Sequence, residues 1–257
     1  MSADSRVLYY DSGGMMTEPV VTSLAGAVYR IELNRPDRGN MVTPDMVSAL
    51  LDAVARLPAD AKLLVLSGKG ADFCKGRDPQ AAPEAASGGR VPAALELRER
   101  MAGPVVNFYT ALREAPVPTL AVVRGAALGF GCALTGVCDL ALAGEGSRFQ
   151  LPEMTKGLPP TLAMAALDRL GTRNLAYLVY TAAEIDARAA QAMGLVNTVV
   201  PDAELDARAD QFMAAITSRP LDAIKAVKEY LKFAPLMEPR GRADFAASVI
   251  AGVLSSR

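Results

Sequence analysis

Histidine is absent from all 257 residues. That removes Ser-His-Asp and Cys-His nucleophile systems, along with the usual zinc sites built on imidazole ligands. A general base must therefore be Asp, Glu, Lys, Tyr, Cys or a terminus, and no metal site is expected. Cysteine is scarce: Cys74, Cys132 and Cys138 are odd in number and sit in apolar or Gly-rich surroundings. They show neither metal-site spacing nor a disulfide framework, which fits a reducing cytoplasm. Excess charge is missing too. A formal net charge of -1, with both signs interspersed, provides no positive footprint for a phosphate backbone, so nucleic acid is not expected as a partner. No apolar h-region follows Met1, so no secretory signal is visible. The longest apolar stretch, Ala127 to Ala143, is broken by Asp139 and several glycines. It reads as buried core, and no membrane span is expected.

What remains is a chain about half hydrophobic, enough for one large domain or a domain with a helical appendage. Residues 1–16 read as a loosely held extension. Val28 to Leu33 reads as a strand after the Gly26 turn, followed by the polar loop Asn34-Arg35-Pro36-Asp37-Arg38-Gly39-Asn40. Thr43 as N-cap and Pro44 at the first helical position open a helix whose apolar residues are Met46, Leu50, Leu51, Val54 and Leu57. Leu63 to Ser67 is a buried strand, and Pro79 to Pro92, rich in Ala, Pro, Ser and Gly, is the expected mobile segment. A second amphipathic helix carries Leu97, Met101, Val105, Phe108 and Leu112, with a break expected at Gly103-Pro104. Further strands are expected at Thr119 to Val123, Asp139 to Ala143, Phe149 to Leu151 and Val196 to Val200. After Pro201 the pattern is helical, with a last helix from about Arg242. The class is α/β, with an alternating core over residues 17–200 and a helical region over 201–257.

Three local patterns bear on chemistry, and each also has a plain structural reading. Phe73-Cys74-Lys75-Gly76-Arg77-Asp78 is either a surface turn or a place where Gly76 lets the backbone approach a ligand. Gly125 to Leu134, containing Gly129-Phe130-Gly131, follows a strand and runs into a helix. It either packs helix on strand or directs N–H groups at an oxyanion. Its glycines do not meet the G-x-G-x-x-G dinucleotide spacing. Pro152-Glu153 places a carboxylate just after a short strand, where a solvated surface group is the alternative.

In this order, the Asn34 to Asn40 loop, Phe73-Cys74-x-Gly76-x-Asp78, Gly125 to Leu134 with Cys138-Asp139, Pro152-Glu153 and Ala192 to Asn197 resemble the crotonase (enoyl-CoA hydratase/isomerase) superfamily from about Val20 onward. The resemblance implies a ββα spiral core, C-terminal helices used in trimer formation, with trimers or hexamers as the assembly, and an acyl-CoA substrate. Coenzyme A enters only as part of that substrate, with no other cofactor. The resemblance places two oxyanion-hole N–H groups on Arg77 and Phe130 and the acid–base role on Glu153. Gly76, Asp78, Gly129, Gly131 and Pro152 shape the substrate site, with Arg38 and Lys75 toward the CoA phosphates. The chain departs from the family pattern at Phe130, usually glycine, where a side chain narrows the acyl pocket. It departs again at Ala133, where hydratases carry a second glutamate, and at Pro159-Pro160-Thr161-Leu162, which replaces a Gly-rich loop. A single carboxylate resembles the isomerase members. Hydratase chemistry and a catalytically silent acyl-CoA binder are the alternatives.

Overall fold

The computed structural model describes residues 9–10, 16–81 and 93–255. The expected extension therefore lies largely outside the described residues, as does most of the Pro79 to Pro92 segment. β1 (Tyr9–Tyr10) and β2 (Met16–Thr17) pair antiparallel. β3 (Val20–Ala25) and β4 (Val28–Leu33) form a hairpin around Gly26 at φ 57°. The apolar pattern predicts β4 but not β3, whose side chains are mostly exposed. α1 (Pro44–Ala55) begins as the sequence predicts, with Thr43 Oγ1 accepting from Met46 N–H at 3.2 Å. β5 (Leu63–Gly68) follows.

α2 (Ala94–Leu97) and α3 (Gly103–Glu114) are joined by a π-helical turn over Arg98–Ala102. The expected break thus takes the form of a widened turn just before Gly103-Pro104: Gly103 N–H donates to Arg98 O five residues back. Pro104 has no N–H to donate, and the wider turn accommodates its ring without ending the helix.

β6 (Thr119–Val123), β7 (Ala126–Leu128), α4 (Phe130–Val137), β8 (Leu140–Gly144) and β9 (Arg148–Gln150) come next. Then follow α5 (Thr161–Ala166), α6 (Thr172–Thr181), β10 (Ile185–Asp186), α7 (Ala187–Ala192) and β11 (Thr198–Val200). α8 (Leu205–Thr217), α9 (Leu221–Phe233) and α10 (Pro239–Ser255) end the described chain, the last starting three residues before the expected Arg242.

Six strands form the main sheet in the order β11-β8-β6-β5-β4-β3, parallel except for the β3–β4 hairpin. β10-β9-β7 form a smaller sheet. Both faces of the main sheet are covered. Leu64 and Leu66 of β5 join the core shared with α1, α3 and α4, while Leu63 and Val65 face Leu205, Ala209 and Met213 of α8. This is why β5 reads as a continuous apolar run rather than an alternating one.

Asp139 ties the C-terminal helices to this sheet. Its carboxylate accepts from Thr119 N–H at 2.9 Å, Thr119 Oγ1 at 3.1 Å and Lys228 Nζ at 2.6 Å, and pairs with Arg169 at 3.2 Å. The Lys228 side chain is only 6% exposed, so removing its partner strands a charge inside the protein. Asp139→Ala is expected to cost about 3 kcal/mol in urea unfolding, and adding Lys228→Met should recover part of that loss.

Candidate active site

The site is built by main chain meeting main chain. Cys74 N–H donates to Ala126 O at 3.0 Å and Leu128 N–H to Cys74 O at 2.9 Å, which lays the strand-to-loop turn after β5 along β7. On its other side the turn pairs with Val42: Val42 N–H donates to Gly76 O and Asp78 N–H to Val42 O, both at 2.9 Å. Because the residues flanking Arg77 bond toward Val42, the intervening Arg77 amide faces the opposite way.

Glycines make the approach possible. A β-carbon on Gly131 would lie 2.1 Å from Cys74 O, and one on Gly76 3.3 Å from Leu128 O. Gly129 is the tightest point of the site itself: a β-carbon there would sit 2.8 Å from Glu153 Oε1 and 3.9 Å from Gly76 Cα. Gly129 also holds φ 51° and ψ -109°, a region closed to L side chains. The three patterns singled out in the sequence therefore converge, with Gly76 and Glu153 both bordering the space beside Gly129.

Phe130 begins α4, where helix geometry leaves its N–H without an intrahelical acceptor. The side chain at this position needs no unusual backbone, since the positive φ falls on Gly129 instead. Its ring is 5% exposed and stacks on Phe108 and Tyr109 of α3, with centroids 6.2 Å and 5.8 Å away. Ala133, one turn further along α4, is fully buried.

Glu153 lies in a 3₁₀ turn over Pro152–Lys156 that follows β9, with Pro152 fixing the first position. The turn ends at Gly157 with φ 69°. Glu153 Oε2 is buried and, among the described residues, has no hydrogen-bond partner. Burial raises the carboxyl's pKa above its ordinary 4.5, against smaller lowering effects of its own backbone hydrogen bond and of Lys156. The neighbouring thiols are inert: burial, reinforced at Cys132 by Glu153, pushes Cys74 and Cys132 up to about 12.

The other sequence-predicted positions divide. Arg38 is exposed at the end of a 3₁₀ turn over Pro36–Arg38. Lys75 lies beside it, its stem over Gly39 and its ammonium paired with Asp72 at 2.7 Å. Asp78 is occupied within the protein, accepting from Arg35 at 3.1 Å and from Gln80 N–H at 3.0 Å. It braces the turn that carries Arg77. Tyr109, whose buried ring packs on Phe130, is a neighbour of the site that the sequence does not single out. One aromatic on the buried face of an amphipathic helix carries no local mark that separates it from core.

Two outcomes follow from this geometry. A raised folded-state pKa means the Glu153 contribution to stability is complete below pH 4.5 and lost as pH rises through the raised value. Glu153→Gln should therefore raise Tm relative to wild type at neutral pH, with the gap closing toward pH 4.5; a pH-independent gap would contradict the desolvated carboxylate. Gly129→Ala should cost about 2 kcal/mol or more in denaturant unfolding, because its backbone conformation is closed to a residue with a β-carbon.

A family model described as enoyl-CoA hydratase/isomerase matches residues 24–245. Enoyl-CoA hydratase domain-containing protein 2, mitochondrial, from Bos taurus is 33% identical over 213 residues, covering 77% of this chain and 67% of that protein. Among solved structures, an enoyl-CoA hydratase from Mycobacterium smegmatis superposes with TM-score 0.86 at 25% identity, covering 93% of this chain and 91% of that one. A Thermobifida fusca protein solved in complex with CoA superposes with TM-score 0.84 at 30% identity, covering 93% of each chain. With the match spanning most of the described residues and the glycine-built turns meeting at one glutamate, the chain belongs to the enoyl-CoA hydratase/isomerase family.

Proposed function

We propose that the protein moves a double bond along the acyl chain of an enoyl-CoA, from the β,γ to the α,β position, with Glu153 as the sole proton shuttle. The observation that carries this reading is the buried, unpartnered Glu153 Oε2 beside Gly129, with Ala133 where a second carboxylate would stand. In this reading the thioester oxygen accepts from the Arg77 and Phe130 N–H groups. Glu153 takes a proton from the α carbon; the C–H electron pair forms the α,β double bond, and the β,γ pair collects the same proton at the γ carbon. The charge that develops on the thioester oxygen is held by the two amides, each worth about 3 kcal/mol in the transition state. One group can run both transfers because its raised pKa brings accepting and returning a proton closer in energy.

Arg38 and Lys75 lie on the same exposed edge and suit the CoA phosphates, in keeping with the CoA bound to the Thermobifida fusca relative. The hydratase names of the bovine and mycobacterial relatives favour water addition as the second reading. For that chemistry Glu153 would have to orient water without a partner carboxylate. We also propose that the chain works as a cytoplasmic homotrimer or hexamer built on the helices after residue 200. In support, α10 buries no residue, and Val227, Leu231, Leu236, Ile250 and Leu254 are each more than half exposed.

The deciding assay supplies a β,γ-enoyl-CoA and, separately, an α,β-enoyl-CoA with water. Turnover of the first is expected, and turnover of the second alone would replace isomerisation with hydration. Glu153→Gln should lower kcat by about 10³-fold or more. Wild-type kcat/KM should fall on the acid side of the raised carboxyl pKa, since the base must be ionised. Sedimentation should show a trimer or larger assembly that Leu231→Glu with Ile250→Glu breaks to monomers.

A further inference from the structure

Tyr109 is a buried phenol that the shuttle chemistry does not use. It sits in α3, 5% exposed, with its ring 5.8 Å from that of Phe130, the residue whose N–H starts α4. Phe108 closes the other side of the same aromatic cluster. Buried tyrosines ordinarily find a hydrogen-bond partner for the hydroxyl, because an unpaired one forfeits its hydration. Here the hydroxyl has no such partner among the described residues; its neighbours act on it only through burial and charge, and they include Arg77 and Glu153. The Tyr109 phenol and the unpartnered Glu153 Oε2 thus share one neighbourhood with the Phe108 and Phe130 rings and the inert thiols Cys74 and Cys132.

The phenol can play only one part. Burial above all, then Cys74, raises its pKa; Arg77 pulls the other way by less than these, and Cys132 and Glu153 add smaller raising effects, so it stays protonated and acts as a donor rather than a base. A donor waiting in an apolar pocket selects for an acceptor, and a hydrocarbon chain leaves it unpaired at a cost. Resting on the acyl-CoA reading above, we propose that Tyr109 is a specificity-determining residue that donates a hydrogen bond to an oxygen on the acyl chain. The preferred substrates are then acyl-CoA thioesters bearing a hydroxyl or carbonyl oxygen beyond the thioester, rather than plain hydrocarbon chains.

Saturated thioesters separate this from catalysis. 4-Hydroxybutyryl-CoA and pentanoyl-CoA match in shape and differ in one hydroxyl, and neither offers a double bond to move. Calorimetric titration of the full chain should show the hydroxylated ligand bound about tenfold more tightly. Tyr109→Phe should reduce that ratio to about one, and Tm should hold or rise, because the lost hydroxyl had no partner to lose. A purely structural tyrosine would leave the ratio unmoved. Equal affinities in the wild type, or a preference that survives Tyr109→Phe, overturns the proposal. Glu153→Gln reports independently: if it keeps full turnover, the shuttle reading fails while the ligand preference still stands or falls on its own ratio.

Discussion

The site depends on how closely two stretches of backbone can pass. Between residues 74–76 and 126–131 the main chains run side by side, and glycine is required at the contact: a β-carbon at Gly131 would collide with Cys74 O at 2.1 Å. With φ 51° and ψ -109° Gly129 turns the chain sharply from β7 into α4, so that Phe130 can begin a helix with its N–H free of an intrahelical acceptor. Gly129 N–H is itself held by Gln150 O at 2.8 Å. The end of β9 and the start of α4 are thereby locked together just before the chain reaches Glu153.

Polar groups around this point follow a division of labour set by burial. Asp78 and Asp139 are paired and brace, respectively, the Arg77 turn and the junction of sheet and C-terminal helices. Glu153 Oε2 is left without a hydrogen-bond partner among the described residues, and the Tyr109 phenol lies in its neighbourhood. Leaving polar atoms unmet costs stability, and a fold carries such a cost where the atoms have a ligand to meet. With no histidine in the chain, a carboxyl lifted by desolvation is one of the few groups able to exchange a proton near neutral pH.

Much of the fold was readable in the residues. α1 is written in Thr43-Pro44 and its apolar spacing, and β5 and β6 in short β-rich runs. The glycine patterns, taken in order, carried the family resemblance. What escaped reading had physical causes. β3 is an edge strand with exposed side chains, so it lacks the apolar alternation that marks a strand. β7 is three residues of Ala-Ala-Leu, too short and too small to register, yet it supplies the main chain along which Cys74 aligns. The break at Gly103-Pro104 was expected as an interruption and appears as a π turn, in which the widened hydrogen bonding accommodates Pro104 without ending the helix.

By itself the sequence determined which chemistry was available: no imidazole, no paired cysteines, no basic surface, one carboxylate in a turn after a short strand, and glycines where backbone must come close. These are properties of residue types and local spacing, which are fixed before the chain folds. Only the tertiary structure decided that Gly76, Gly129 and Glu153, separated by up to 77 positions, meet at one point, that Phe130 turns its ring into the α3 aromatics, and that Tyr109 joins the site. Long-range proximity comes from sheet register and helix packing, and a phenol on a helix becomes a binding group or a core residue according to what the rest of the chain places opposite it.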